Sequence, residues 1–441
     1  MTGRRVVIVG GGFAGFEAAR SLTRALPPTA DVEVVLVNQN DYFLYLPLLP
    51  EVATGVLDPR RITVSLPAAL PGVRFVPGEV GGVDLDARHI DYTDPEGGEH
   101  RLGYDRLVLA VGSVNKLLPV PGVAEYAHGF RGVAEALYLR DHIVRQIELA
   151  AASDDPDERA ARCTFVVVGA GYTGTEVAAQ GPLFTSALAA RHRELCNQRI
   201  RWLLLDLAPK VLPELDPRLS RAADRVLRER GVDVRTGVSV QEARREGVLL
   251  TDGEYVPMRT LVWCVGVRPD PLVESTGLET HKGRLVVDAT LLVPGHPDVF
   301  ACGDAAAVPD LTRPGQVTPM TAQHASRQGK LAGRNVAASL GFGRIRRYRH
   351  HDLGFVVDLG GTEAAANPLG LPLSGLPAKI VTRGYHLLAM PGNRIRTAVD
   401  WLLDATAGRQ TVELGLVRAA AVPLETAEPG RRPAPARAPG Q

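Results

Sequence analysis

Phe165-Val-Val-Val-Gly-Ala-Gly-Tyr-Thr-Gly-Thr-Glu176 joins a short apolar run to the spacing Gly169-x-Gly171-x-x-Gly174. A buried strand that feeds such a turn, with a helix behind it, is how a dinucleotide-binding βαβ unit opens. Gly169 would make the tight turn, Gly171 would let a pyrophosphate approach the backbone, and Gly174 would let helix pack on strand. Free amides at the helix start then hold the phosphate charge. The same pattern stands near the start of the chain, in Arg5-Val-Val-Ile-Val-Gly-Gly-Gly-Phe-Ala-Gly15. Either copy alone also reads as a glycine-rich βα turn without a ligand. Two copies with matching strands downstream predict two dinucleotide pockets.

Working outward, residues 4–9 read as a strand, 16–26 as a helix and 31–37 as a second strand. Residues 38–55 form an unusually apolar, aromatic connection, 73–94 a hairpin or meander, and 104–112 a buried strand ending in glycine. A helix is predicted over 134–152, and the polar stretch Ser153–Arg159 reads as a break. From Thr164 the plan repeats: helix 172–192, strand 200–205, helix 219–230, strand 232–236 and strand 260–266. A further strand ends in Cys302-Gly-Asp304, and 321–340 reads as a helix. The tail Glu428–Gln441 is rich in Pro and Arg and reads as disordered.

The composition excludes several classes. With 45% hydrophobic residues in 441, the chain has ample material for two or three domains. A net charge of +1 gives no basic field for nucleic acid. Cys163, Cys196, Cys264 and Cys302 form no close pair, so a reducing compartment is expected and a redox dithiol is not. No residue pattern suggests a metal. The strand at the start leaves no room for a signal peptide, and no apolar run reaches the length of about 18 residues that a spanning helix needs.

The residue after the second strand of each unit should meet the adenosine ribose. That residue is Asn38 in the first unit and Asp206 in the second. A carboxylate there accepts from a 2′-hydroxyl and repels a 2′-phosphate, which favours NADH over NADPH, though Asp206 before Ala-Pro also suits a turn cap. Asp304, behind a strand and Gly303, can accept from a ribityl hydroxyl. One cradle for FAD and one for NADH would let hydride pass from nicotinamide to flavin.

In order and spacing, glycines 10–15, LVLAVG at 107–112, GAGYTG at 169–174, LVWCVG at 261–266 and CGD at 302–304 resemble the pyridine nucleotide–disulfide reductase superfamily. The missing CxxxxC sets its disulfide reductases aside. DYFLYLPLLPEVATG at 41–55 is similar to the loop of the type II, non-proton-pumping NADH:quinone oxidoreductases. Their AQxAxQ helix resembles Ala322-Gln323-His324-Ala325-Ser326-Arg327-Gln328, with Arg327 where the second Gln is expected.

The resemblance implies an α/β fold with two Rossmann-like domains, the NADH domain inserted in the FAD domain, plus a small C-terminal domain. The expected boundaries are 1–130 and 281–345 for FAD, 131–280 for NADH, 346–425 for a membrane-surface or dimerisation region, and 426–441 for the tail. Expected at FAD are Gly10, Gly12, Phe13, Ala14, Gly15, Asn38, Val80, Ala110, Gly112, Gly303, Asp304 and Ala322. Expected at NADH are Gly169, Gly171, Tyr172, Thr173, Gly174, Asp206 and Gly266. Glu176 is expected to orient nicotinamide or tune flavin charge, or else to be a first-turn acid favoured by the helix dipole. Gln323 is expected to bond a quinone or flavin carbonyl, or else to lie on the helix surface. His324 reads as a proton donor or an exposed residue, and Arg327 as an anion-favouring or a solvated one. The loop 42–55 would cover the flavin or line an acceptor channel.

Residues 375–403 mix apolar side chains with Lys379, Arg383, His386, Arg394 and Arg396. In the family this region lies on the membrane beside the quinone entrance, which implies a cytoplasmic protein peripheral on the inner face of the cell membrane. A docked helix or homodimer surface is the plainer reading. The function implied is electron transfer from NADH through FAD to a membrane quinone. A soluble, ferredoxin-like acceptor or a slow flavin redox sensor are the alternatives.

Overall fold

The computed structural model describes residues 3–350, 353–407, 409 and 411–424, so the expected tail lies outside the described residues. β1 (Arg4–Val9) runs into the turn at Gly10–Gly12, which α1 (Phe13–Ala25) follows, and β2 (Val32–Asn38) returns parallel to β1. Val6 to Val9 and Val34 to Val37 are all buried, as strands covered on both faces must be. On the other side of β1 lies β3 (Arg106–Leu109), also parallel. The six-stranded sheet has the order Leu292–Val293, His296–Ala301, β3, β1, β2, Arg74–Pro77, with only the first pair antiparallel.

A second sheet repeats this core. β4 (Thr164–Val168) pairs with β5 (Arg201–Asp206) and with β6 (Thr260–Trp263). Its full order is Ala127–His128, β6, β4, β5, Val232–Thr236, all parallel. Strand by strand, β6-β4-β5 copies β3-β1-β2. In both sheets the first strand of the unit is central, so both glycine turns open at the carboxyl edge where α/β proteins hold ligands.

Three local expectations change. α1 begins at Phe13 rather than Phe16, because Gly12, at φ −73° and ψ −165°, already serves as the N-cap. The meander expected over 73–94 starts later: Arg74–Pro77 joins the first sheet, and Glu79–Asp84, His89–Thr93 and Glu99–Gly103 form a separate antiparallel sheet. The polar break contains a helix, Pro156–Arg162, since Asp155 accepts from the Asp157 amide at 2.9 Å and proline suits the first helical position.

Six helices and two strands complete the frame of the site. α2 (Leu49–Ala53) lies in the aromatic loop, and α3 (Val133–Ala151) packs on it. α4 (Tyr172–Ala189) leaves the second glycine turn. β7 (His296–Ala301) leads to Gly303, and α5 (Ala322–Ser339) packs along α1, where Ser21 Oγ donates to the Lys330 carbonyl at 2.8 Å. Then β8 (Val356–Asp358) opens a small antiparallel sheet with Ala364–Ala366 and Leu373–Ser374. α6 (Gly375–Ala389) and α7 (Arg394–Thr406) follow. Pro391-Gly392 lies in the break between them. Asn393 sits there at φ +57° and ties it to the Arg60 and Thr63 carbonyls.

Candidate functional site

The two glycine turns are near copies. Gly10 and Gly169 have φ of +98° and +103°, a region closed to most side chains. A Cβ on Gly15 would stand 1.7 Å from the Gly10 carbonyl oxygen, and one on Gly174 would stand 1.8 Å from the Gly169 oxygen. Both are packing positions. Gly12 and Gly171 differ: a Cβ there meets nothing within 4 Å. Their bare backbone faces open space at a helix start, which fits a phosphate, so each cradle suits a dinucleotide. Phe13, Ala14, Tyr172 and Thr173 supply the first helical amides.

The ribose candidates are also equivalent. Asn38 Oδ1 accepts from the Gly11 amide at 2.7 Å, and Asp206 Oδ2 accepts from the Ala170 amide at 2.5 Å. Asp206 Oδ1 also takes the Ala208 amide at 2.7 Å, so the cap and ribose readings coexist on one carboxylate with lone pairs to spare. Lys210 donates to the Leu215 carbonyl and Arg201 pairs with Asp233. Ala110 and Gly112 follow β3, and Gly266 follows β6 at the matching place. Val80 lies in the meander strand Glu79–Asp84. Asp304 follows Gly303 on the first cradle's side, and its Oδ2 accepts the Ser113 hydroxyl at 2.6 Å.

The N-terminus of α5 borders a cavity of ≈ 230 Å³. Phe13 and Phe16 of α1, Phe43 and Tyr45 of the aromatic loop, Ala322, Gln323 and Arg327 of α5, and Tyr385 of α6 line it. The loop therefore forms one wall through its rings, with Phe13 and Phe43 centred 5.0 Å apart. Gln323 is not a surface residue. Its Nε2 donates to the Gly354 carbonyl at 2.6 Å, and its buried Oε1 has no partner among the described residues. That orphan acceptor suits an N–H or O–H of a bound ring.

Gln328 cannot stand in for the expected second glutamine. It is fully buried, accepts from the Gly303 amide at 2.8 Å and donates to Thr318 Oγ1 at 2.9 Å. Arg327, four residues after Gln323, occupies the cavity wall instead, with Nη1 2.9 Å from His350 Nδ1. His324 is neither exposed nor on that wall. It is buried, its Nδ1 meets the Tyr348 hydroxyl at 2.8 Å, and burial pushes its pKa down to about 4.

Glu176 is no solvated first-turn acid. It points inward from α4, and Oε1 accepts from the Asp358 amide at 2.9 Å. Burial pushes its carboxyl well above the usual range, against the pull of that amide. Around it stand residues that sequence reading missed. Asp358 binds the Lys379 ammonium with both oxygens at 2.6 Å, both side chains buried. Glu51 of α2 is buried and accepts the Trp401 indole N–H of α7 at 2.5 Å. Burial, then the Asp358 charge, push the Glu51 carboxyl up to about 7. Tyr45 lines the cavity, its hydroxyl meets His386 Nδ1 at 3.1 Å, and burial pushes His386 down to about 4.

Lys379 and His386 thus do not flank a surface as expected. In α6 the buried face carries Lys379, Thr382 and His386, while Leu376, Ile380 and Leu388 are 56%, 66% and 77% exposed. α7 likewise exposes Ile395, Val399, Leu402 and Leu403, beside the exposed Arg394 and Arg396. The only advance signal is the spacing 379-382-386, one helical stripe.

The family model described as pyridine nucleotide-disulphide oxidoreductase matches residues 4–329. The type II NADH:quinone oxidoreductase Ndh of Mycobacterium tuberculosis is 31% identical over 92% of this chain and 89% of its own length. NdhA of the same organism is 33% identical over 90% and 86%. A type II NADH:quinone oxidoreductase of Staphylococcus aureus is 28% identical over 86% and 93%. Among solved structures, NDH2 from Plasmodium falciparum in complex with NADH superimposes with a TM-score of 0.85, covering 93% of this chain and 99% of that one at 17% identity, a likeness of fold. Matched across nine-tenths of its length by such relatives, this chain belongs to the type II NADH:quinone oxidoreductases, within the pyridine nucleotide-disulphide oxidoreductase family.

Proposed function

We propose that this chain oxidises NADH through FAD and reduces a membrane quinone without pumping protons, attached peripherally to the inner face of the cell membrane. The first cradle would hold FAD through Gly10, Gly12, Phe13, Ala14 and Gly15, with Asn38, Val80, Ala110, Gly112, Gly303, Asp304 and Ala322 around the rest of the molecule. The second would hold NADH through Gly169, Gly171, Tyr172, Thr173, Gly174, Asp206 and Gly266. On this assignment residues 1–130 and 281–345 form the FAD unit, 131–280 the NADH unit, and 346–425 the membrane-facing part. FAD supplies hydride acceptance and electron release, chemistry the side chains lack.

One observation supports the acceptor reading above others. The cavity is walled on one side by α1 and the start of α5, which frame the first cradle, and on another by α6, whose outer face is apolar. An isoprenoid quinone reaching it from lipid would pass that leucine face, and its ring would meet Gln323 and Tyr45. Among the described residues no helix is long and apolar enough to cross a membrane, so attachment would be by the apolar faces of α6 and α7. The reading is tested by NADH oxidation with menaquinone- and ubiquinone-type acceptors, with and without vesicles of anionic lipid. Lipid should raise the quinone rate well above that with a ferredoxin-like acceptor. Faster reduction of the soluble acceptor, or a stable second copy covering α6 and α7, would refute the membrane assignment.

A further inference from the structure

Glu51, Glu176, Asp358 and Lys379 come from α2, α4, β8 and α6, and each is at most 9% exposed. Three carboxyls lie in the field of one ammonium, and Asp358 alone binds it, with both oxygens. The next cation, Arg383, is spread over the Trp401 ring, 4.9 Å from its centroid. Two carboxyls are therefore left in an interior that disfavours their charge, and protons are retained there. Burial pushes the Glu176 carboxyl well above its usual range. Glu51, pushed up to about 7, exchanges one near neutrality.

The surrounding charges are otherwise spoken for. On α4, α6 and β8 the groups facing Glu51 are those already named. On the neighbouring turn Pro59–Ile62 and on α7, Arg61 and Asp400 pair at 2.8 Å, and Asp404 of α7 pairs with Arg409, which donates to the Thr54 carbonyl behind α2. On α3, the buried Asp141 accepts the Leu414 and Gly415 amides and pairs with Arg140, and His142 meets the Arg259 carbonyl and Thr260. Towards the cavity, His386 shares the buried face of α6 with Lys379. Tyr45 lines the cavity, bonded to His386, and His386 lies in the field of Asp358 and Lys379.

On the function proposed above, NADH, quinone and one proton give NAD+ and quinol. The hydride carries two electrons and one hydrogen nucleus, so a second proton must be supplied. We propose that Glu51 is the proton-holding group that supplies it, with the Trp401 indole positioning its carboxyl. The Glu51 O–H bond breaks and its proton goes to the His386 ring; the ring gives a proton to the Tyr45 oxygen as the Tyr45 O–H bond breaks, and that last proton forms the quinol O–H bond. The one proton consumed in the overall reaction, taken from solvent, then restores the carboxyl.

Trp401 gives a readout independent of turnover. The emission of the purified holoprotein is titrated across neutrality, and the Trp401→Phe protein is subtracted to remove Trp202 and Trp263. An inflection near neutrality is expected, and it should vanish in Glu51→Gln. In quinone turnover the native rate should fall on the alkaline side, and Glu51→Gln should be slower by at least about tenfold and lose that limb. Trp401→Phe removes a bond that favours the carboxylate, so its limb should move up by about one pH unit, which keeps the inference testable if Glu51→Gln fails to fold. An inflection that survives in Glu51→Gln, a native protein without one, or a Glu51→Gln profile like the native one overturns it. A native protein that titrates at Trp401 but reduces no quinone instead refutes the function proposed above.

Discussion

Replacing Gly12 or Gly171 by alanine separates what the cradles bind from what they need to fold. At both positions a Cβ meets nothing within 4 Å, and φ is −73° and −72°, open to any residue. Alanine there costs the empty protein almost nothing, yet its methyl occupies the space a phosphate would take. One charge-assisted amide bond lost is about 1.5–3 kcal/mol, or about ten- to a hundredfold in Kd. Gly12→Ala should therefore purify with depleted flavin and rebind FAD weakly, while its flavin-free form melts like the native flavin-free protein. Gly171→Ala should keep full flavin absorbance and bind NADH about ten- to a hundredfold more weakly in a flavin-bleaching titration. Gly15→Ala is the contrasting case. Its Cβ would lie 1.7 Å from the Gly10 oxygen, so the melting temperature itself should drop. If Gly12→Ala kept native FAD affinity, or if Gly171→Ala lost flavin while Gly12→Ala lost NADH, the assignment of the cradles would be wrong.

Lys379→Met leaves the Asp358 carboxylate buried without its cation and should cost about 3–5 kcal/mol in denaturant unfolding; adding Asp358→Leu should recover part of that. Glu51 rises on folding from its ordinary 4.5 to about 7, so the folded state binds the proton more tightly. Its contribution is fully present below 4.5 and is lost as pH rises through about 7, at most about 3 kcal/mol, and melting curves of Glu51→Gln should be flatter over that window. Gln323→Ala should lower quinone turnover by about tenfold while slowing flavin bleaching by NADH less; equal losses would remove Gln323 from the acceptor side.

What could be read in advance follows from how local each signal is. The glycine turns are legible because strand, turn and helix start lie within a dozen residues, and steric demand allows few substitutes at Gly10 or Gly169. The doubled plan is legible because β1 and β4 are apolar on both faces. The aromatic loop stands out because rings such as Phe43 and Tyr45 are out of place in a solvated connection, and the structure puts both on the cavity wall. The Asp358–Lys379 pair, the Glu51–Trp401 bond and the Tyr45–His386 bond join residues 21, 350 and 341 positions apart. No periodicity carries such information, and each partner alone has an ordinary surface explanation.

α6 shows a different kind of illegibility. Lys379, Thr382 and His386 lie on one stripe and Leu376, Ile380 and Leu388 on another, so the sequence does carry an amphipathic pattern. Reading it outward or inward requires knowing the solvent, because an apolar stripe on a helix points to the interior only if the exterior is water. With water assumed, Lys379 belongs outside. In the structure it is inside because Asp358 binds it with both oxygens. A buried pair of this kind adds little net stability by itself, and the exposed leucines add none in water. Such a helix is a poor solution for an aqueous surface and a good one where lipid covers the leucines. The orientation of α6 is therefore the feature of the fold that most directly supports a membrane acceptor, and it joins the cavity, through Tyr385, to the buried acids, through Lys379, on a single element.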